Sequence, residues 1–321
     1  MKKILVLNAC GKEDPIYRMK ILPFIKYKNG EYAFIDPSND HSKYDGIILR
    51  LQLDSPAPER VLSILKENDC KAPTVLLLPD FESKHLKLLL EIAPLIDEIL
   101  VPTPEMLHLV SAFIDTSASL LFDPVDFGLE HFVQRSTFPD YLDKPLKVVW
   151  FGYPESFNKS MSWHLPAIKS LVESNEIEFH VITRNSSYGK KSFFTIHQYD
   201  QKSFLTLLDG FDICLLSHTP NDFSVSTYSK SENKAVLSIN QGLPIVATRT
   251  PAYKRLMTAC HTSEYLFSSN SELVSAIRLL KIGNNRNCFL KLSQEKIFKN
   301  YSSKKMSDDF DLIFKRLLED H

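Results

Sequence analysis

Short apolar runs that alternate with helical patterns, starting within the first ten residues, leave this 321-residue chain few folds to choose from. Ile4-Leu5-Val6-Leu7-Asn8 has the continuous apolar character of a strand buried on both faces of a parallel sheet. A polar loop, Cys10-Gly11-Lys12-Glu13-Asp14-Pro15, follows it, and a helical pattern over 16–26 completes a β-loop-α unit. The unit recurs: a strand over 44–50 with a helix over 58–66 whose first turn holds Pro58, then a strand over 74–78 ending at Pro79-Asp80 with a leucine-rich helix over 84–92. Glu98-Ile99-Leu100-Val101, a helix over 104–113 and Ser119-Leu120-Leu121-Phe122 close the series. Strands alternating with helices, with polar residues at the strands' carboxyl ends, predict a doubly wound α/β domain over residues 1–140.

The segment 134–144, with Pro139 and then Pro145, has the composition of a linker, and beyond it the pattern begins afresh. Lys147-Val148-Val149-Trp150-Phe151-Gly152 is a strand ending in glycine, followed by a helix over 165–173, strands over 178–184 and 194–197, and a helix over 203–208 closed by Gly210. Phe211-Asp212-Ile213-Cys214-Leu215-Leu216 is the next strand, and Pro244 opens another over 244–247. From 271 onward the pattern is helical, and Phe310, Ile313, Phe314, Leu317 and Leu318 form one apolar stripe on the last helix. Nine glycines serve the whole chain, so their places are informative. Gly210, Gly242 and Gly283 read as helix C-caps. Gly152 sits where the crevice of an open α/β sheet lies and where a side chain would obstruct a ligand.

Between the last two predicted strands lies Ser229-Lys230-Ser231-Glu232-Asn233-Lys234, read as a polar loop and a helix capped by Ser231. The first-turn N–H groups of a helix have no intrahelical partners, so an N-terminus that also carries Lys230 and Lys234 is suited to phosphate. The same residues also fit an ordinary capped surface helix with solvated lysines.

Several chemistries are excluded or disfavoured. The first crossover has the single Gly11, so the G-x-G-x-x-G dinucleotide fingerprint is absent, as is a P-loop. No G-x-S-x-G elbow follows a strand, which disfavours a serine hydrolase. Asp308-Asp309-Phe310-Asp311 opens the last helix, where the helix dipole accounts for acidic residues without a metal. Five widely spaced cysteines suggest neither disulfides nor a zinc ribbon and fit a reducing cytoplasm. A net charge of -1 gives no reason to expect nucleic acid. Locally, Arg278, Lys281, Arg286, Lys291, Lys296, Lys299, Lys304 and Lys305 face only Glu295, either as a footing for an anionic membrane surface or as a solvated helix face. The apolar run after Met1-Lys2-Lys3 is too short for a signal segment, and no run has the length of a membrane span.

From about Leu146 onward the chain resembles the nucleotide-binding half of GT-B glycosyltransferases. The most specific block is Lys230-Ser231-x-Asn233-Lys234 leading to Gly242-Leu243-Pro244-Ile245-Val246-Ala247 and Thr250-Pro251-Ala252-Tyr253. Val149-Trp150-Phe151-Gly152, the strand ending in Leu216, Ala276-Ile277-x-Leu279-Leu280 and Asn300-Tyr301-Ser302 are in the same style. In the first half, Asp14-Pro15-Ile16-Tyr17-Arg18-Met19 with Pro23 is similar to the arginine-bearing first crossover of group 1, family 4-like polysaccharide glycosyltransferases. Ile99 to Glu105 and Phe122 to Asp126 look like that family's later strand ends. The chain departs from the family's largest retaining group at its paired glutamates: the corresponding positions hold Ser229 and Leu237, and Glu232 is out of register.

The resemblance implies two Rossmann-like doubly wound domains facing a cleft. These are an acceptor-side domain over 1–140, a nucleotide-sugar-binding domain over 141–300, and a helix over 301–321 packing back on the first. It implies a glycosyltransferase that needs no cofactor or metal and moves a sugar from a nucleotide-sugar donor to a glycan or lipid-linked acceptor. The setting would be bacterial surface polysaccharide synthesis, in the cytoplasm, with peripheral contact at an anionic inner membrane face. Lys230, Ser231, Asn233 and Lys234 are then expected around the diphosphate, with Gly152 giving the phosphate room, Arg184 on the base or phosphate, and Arg18 on the acceptor side. Asp14 and Asp80 are the candidate bases for an inverting reaction, although each also fits a loop carboxylate capping a helix. A noncatalytic nucleotide-sugar-binding partner subunit of the same fold is the alternative, kept open by the missing glutamates.

Overall fold

The computed structural model describes residues 1–8, 14–35, 44–50, 58–68, 72–81, 86–129, 131–135, 138–184, 193–219 and 224–320. Gly11 and the rest of its loop up to Glu13 lie outside the described residues. In chain order the elements are β1 (Lys2–Asn8), a π-helical turn (Tyr17–Ile21) running into α1 (Leu22–Lys28), β2 (Tyr32–Ile35), β3 (Gly46–Arg50), α2 (Pro58–Asn68), β4 (Thr74–Leu77), α3 (Leu86–Ile92), β5 (Glu98–Val101), α4 (Pro104–Phe113) and β6 (Ala118–Leu120). There follow β7 (Leu146–Phe151), α5 (Pro154–Met161), α6 (Leu165–Glu173), β8 (Ile177–Thr183), β9 (Thr195–Gln198), α7 (Phe204–Leu208), β10 (Ile213–Leu216), α8 (Val225–Tyr228) and α9 (Asn233–Asn240). The chain ends with β11 (Ile245–Thr248), α10 (Pro251–Ala259), β12 (Leu266–Phe267), α11 (Asn270–Leu280), α12 (Gly283–Tyr301) and α13 (Ser303–Asp320).

These elements form two compact units. One comprises 1–130, 224–233 and 300–321, the other 131–223 and 234–299. Each is built on a parallel sheet of six strands, in the orders β2-β1-β3-β4-β5-β6 and β12-β11-β10-β7-β8-β9. The second order, counted from β7, is the 3-2-1-4-5-6 arrangement of a doubly wound dinucleotide-type sheet, and the first reverses direction between β1 and β3.

Side-chain alternation along the strands of the first sheet divides its core into two faces. Leu5, Leu7, Ile47, Leu49, Leu76, Ile99 and Val101 pack with Leu65, Leu89, Ile92, Met106 and Val110 from α2, α3 and α4. Ile4, Val6, Ile48, Val75, Leu77 and Leu100 point the other way, onto Phe24, Met306, Phe310, Phe314 and Leu317. The apolar stripe read in the last helix is thus the cover of the first sheet, and the Phe24 and Phe310 rings stack with centroids 4.4 Å apart. A polar seam borders the contact. Lys28 lies 3.1 Å from both Asp308 and Asp311, the Tyr32 hydroxyl donates to Asp311 at 2.7 Å, and Lys315 spans Asp311 and Glu31, each at 2.8 Å. Burial raises the pKa of the Asp311 carboxyl, but its bonds from Lys315, Tyr32 and Lys28 outweigh that and the net shift is downward. The acidic start of the last helix therefore docks it.

In several places the structure differs from the periodicity, among them α8 and β12, which are too short to leave one. β2 is a four-residue edge strand too short for its alternation to register. α5 turns only Phe157, Ser160 and Met161 inward, so its apolar period is faint. α10 is announced by a cap rather than a stripe: Pro251 sits in the first turn and the Thr250 hydroxyl accepts the Tyr253 N–H. Gly283, expected as a C-cap, is instead the first residue of α12. Its N–H donates to Asp140 at 2.6 Å, and a Cβ there would fall 1.7 Å from the Phe138 carbonyl oxygen. Glycine is needed at that point because the backbone of the 138–141 segment presses against it. Next to it Arg286, 1 % exposed, donates to the carbonyls of Leu280 and Pro139 and stacks over Tyr141. Gly242 does close α9, in the left-handed region at φ +72°. Among the described residues no helix is long and apolar enough to cross a membrane.

Candidate active site

In the second unit the strand order reverses between β7 and β10, and open α/β sheets bind ligands outside the carboxyl ends of the strands at that point. The first residue beyond β7 is Gly152, whose N–H continues the ladder to Ile182 at 3.1 Å. Lys234, second residue of α9, reaches back to this strand end and donates to the Phe151 carbonyl at 3.0 Å. Its ammonium also lies 5.4 Å from the Trp150 ring centroid and 5.6 Å from that of Phe151. A Cβ at Gly152 would come within 2.9 Å of Lys234 Nζ and 2.8 Å of Trp150 Cη2. The bare glycine thus makes room for the lysine head and the indole.

The loop leaving β10 is fixed on several sides. Ser217 donates to Ser160 at 3.1 Å, the His218 N–H donates to Thr248 at 2.9 Å, and His164, 1 % exposed, bonds Asn270 at 2.9 Å while its other ring nitrogen lies 3.5 Å from the His218 carbonyl. His164 lies just before α6 with no periodic signature, so nothing in the sequence singled it out. Arg184, one residue past β8, is exposed, with its guanidinium carbon 5.1 Å from the Tyr199 ring and 5.9 Å from that of Tyr153. Burial pushes the Cys214 thiol up to about 12 and the Cys260 thiol up to about 11, so neither is poised as a nucleophile.

The unit boundary falls inside the lysine-rich stretch, between Asn233 and Lys234, so Lys230, Ser231 and Asn233 belong to the first unit. The helix starts at Asn233, one residue later than a Ser231 cap requires. Glu232, 2 % exposed, accepts the Tyr301 hydroxyl at 2.6 Å, and the carbonyl of Ser229 accepts the Thr103 hydroxyl at 3.1 Å. Held at both ends, the loop presents Lys230 to solvent, 3.5 Å from Asp80 beyond β4.

At the reversal of the first sheet, Asp14 accepts the N–H groups of Ile16 and Tyr17 at 2.9 and 3.1 Å and a fork of two bonds from Arg50, both at 3.2 Å. Arg50 closes β3 and is 7 % exposed, a partner that the sequence reading did not single out although a polar residue ending an apolar strand was its signal. Asp14 is therefore a brace for the first crossover. Arg18 is likewise engaged, forking onto Asp126 at 3.1 and 2.8 Å and lying 5.1 Å from the ring centroid of Phe127. Asp80, with its side chain 66 % exposed, is the more accessible of the two candidate bases.

Much of the basic run is spent internally. Arg278 forks onto Glu176 at 2.9 and 2.8 Å, Arg286 is buried, Lys296 caps the Ala259 carbonyl at 2.6 Å, and Lys304 and Lys305 pair one turn ahead with Asp308 and Asp309.

No protein-family model matches the chain, and no curated protein matches it in sequence. Solved structures do. A sucrose-phosphate synthase from Thermosynechococcus elongatus superposes with a TM-score of 0.65 at 11% identity, over 100% of both chains. WaaG, a glycosyltransferase involved in lipopolysaccharide biosynthesis, gives 0.61 at 12% identity over 96% of this chain and 99% of its own. The pneumococcal O-GlcNAc transferase GtfA, solved with UDP and GlcNAc, gives 0.61 at 10% identity over 85% of this chain, which spans 57% of GtfA's length. The fold is that of GT-B glycosyltransferases, as the sequence resemblance implied.

Proposed function

We propose that the chain transfers a sugar from a nucleotide-sugar donor to a glycan or lipid-linked acceptor, in surface polysaccharide synthesis. One observation carries the reading: the Lys234 ammonium is lodged at the switch point of the second sheet in space that Gly152 leaves open. As the glycosidic C–O bond to phosphate breaks, charge builds on the leaving diphosphate, and a fixed cation stabilises that charge more than the ground state. In this reading Lys234 does so without a metal. Asp80 takes the acceptor hydroxyl's proton, and Asp14 acts as a positioning residue through Arg50. Support for the sugar-nucleotide class comes from GtfA, solved with UDP and GlcNAc, and for the polysaccharide setting from WaaG.

The test is release of nucleoside diphosphate from a panel of nucleotide sugars by the purified chain, with and without EDTA. Turnover that persists in EDTA and falls about 10²- to 10³-fold in Lys234→Ala is expected. Binding without turnover on any acceptor would instead support a noncatalytic subunit, and failure to bind UDP, GDP or ADP would overturn the reading.

A further inference from the structure

We infer that Tyr153 is the surface on which the donor's nucleobase stacks, with Arg184 as the positioning residue that braces its ring. The inference rests on the proposed nucleoside-diphosphate site and names a contact for the other end of that ligand.

In the second sheet β7, β8 and β9 are neighbours in that order, about 4.8 Å apart per step. Tyr153, Arg184 and Tyr199 each follow one of these strands, so they stand in a row along the sheet's carboxyl edge. The row starts two residues from the Phe151 carbonyl that anchors Lys234. A nucleoside diphosphate whose phosphates meet Lys234 has its base directed either along this row or toward β10. The β10 side is filled by the Ser217, His218 and His164 bonds. The row on the β8 side presents flat faces.

Among the described residues Tyr153 does no packing work that would account for an aromatic ring. Its backbone starts α5, with the carbonyl accepting the Phe157 N–H at 3.0 Å, while the buried face of that helix is made by Phe157, Ser160 and Met161. The Tyr153 side chain stays 56% exposed. Tyr199, by contrast, packs on Phe204 with ring centroids 5.2 Å apart. Arg184 joins the two tyrosines, its guanidinium lying against both rings and so holding the Tyr153 ring in place. Base–aromatic stacking tolerates any base, because every base has a π face.

Calorimetric titration of the full chain with UDP tests this. Tyr153→Ala is expected to weaken UDP binding about tenfold, Tyr153→Phe to stay within about twofold of the parent, and both to keep the parent's melting temperature, since the ring is exposed. Arg184→Met should weaken binding in the parent but not in Tyr153→Ala, the sign of action through the ring. Unchanged UDP affinity in Tyr153→Ala, or equal losses in the Ala and Phe variants, would overturn the inference. If Lys234→Ala still weakens UDP in that case, the proposed function survives it. A parent chain that binds no nucleoside diphosphate sinks both.

Discussion

Lys234 and Phe151 are joined by a 3.0 Å bond from the side chain's ammonium to the strand's last carbonyl, across a gap kept open by the absence of a side chain on Gly152. Gly152→Ala would place a methyl group 2.9 Å from that ammonium and 2.8 Å from the Trp150 ring. The variant should fold, at a cost of about 1–3 kcal/mol for overpacking, and lose at least tenfold in nucleoside-diphosphate affinity. Calorimetry on the folded variant decides it: parent-like affinity would show that the lysine's placement does not depend on the glycine.

Phe310 is fully buried against Phe24 and beside Phe314. Phe310→Ala should destabilise the first unit by about 3–5 kcal/mol, read as a fall in the denaturant midpoint. An exposed change on the same helix, Leu312→Ala at 70% exposure, should move it by less than about 0.5 kcal/mol.

Lys20 lies 3.0 Å from Asp123 with both side chains almost completely buried, and also donates to the Leu121 carbonyl at 2.8 Å. Removing one partner strands the other's charge, so Lys20→Met and Asp123→Asn should each cost about 3–5 kcal/mol. The double change Lys20→Met with Asp123→Asn should cost less than the sum of the two single losses. Additive losses in the double-mutant cycle would mean the two charges are not coupled.

His180 and His197 face each other from β8 and β9, ring nitrogens 3.1 Å apart, with Glu178 3.5 Å from His180 and Phe211 against both rings. Both are shifted below the ordinary imidazole value, His180 by burial and then by the charge of His197, and His197 by burial. A lowered folded pKa means the unfolded chain holds more protons just below about pH 6.5, so stability is complete above that pH and is lost as pH falls through it. Melting temperatures measured from pH 7.5 to 5 should drop more steeply in the parent than in His197→Gln. Parallel curves would remove the pair as the cause.

Much of this was legible in the sequence. Continuous apolar strands such as Ile4 to Leu7 and a stripe such as Phe310–Phe314–Leu317 are decided by burial, and burial leaves a periodic record. β2, α5 and α10 left little, because an edge strand and two short helices, each opened by a proline, have few inward residues to keep time. At the candidate site the sequence marked Gly152 and Lys234 but not their relation, since a lysine that bonds a carbonyl one element away is written by tertiary geometry alone. The engagement of Asp14 with Arg50, and of Arg18 with Asp126, is of the same kind.

The docking of α13 sets an order of events during synthesis. The sheet face carrying Ile48 and Val75 is translated early, yet the last helix that packs over it follows only after the whole second unit. At about 5–20 residues per second, the first unit waits on the order of ten to thirty seconds with that face uncovered. For that interval the nascent chain is exposed to aggregation, and a trigger factor or other holdase would find its substrate there. An excised fragment ending near residue 140 would carry the same open face permanently.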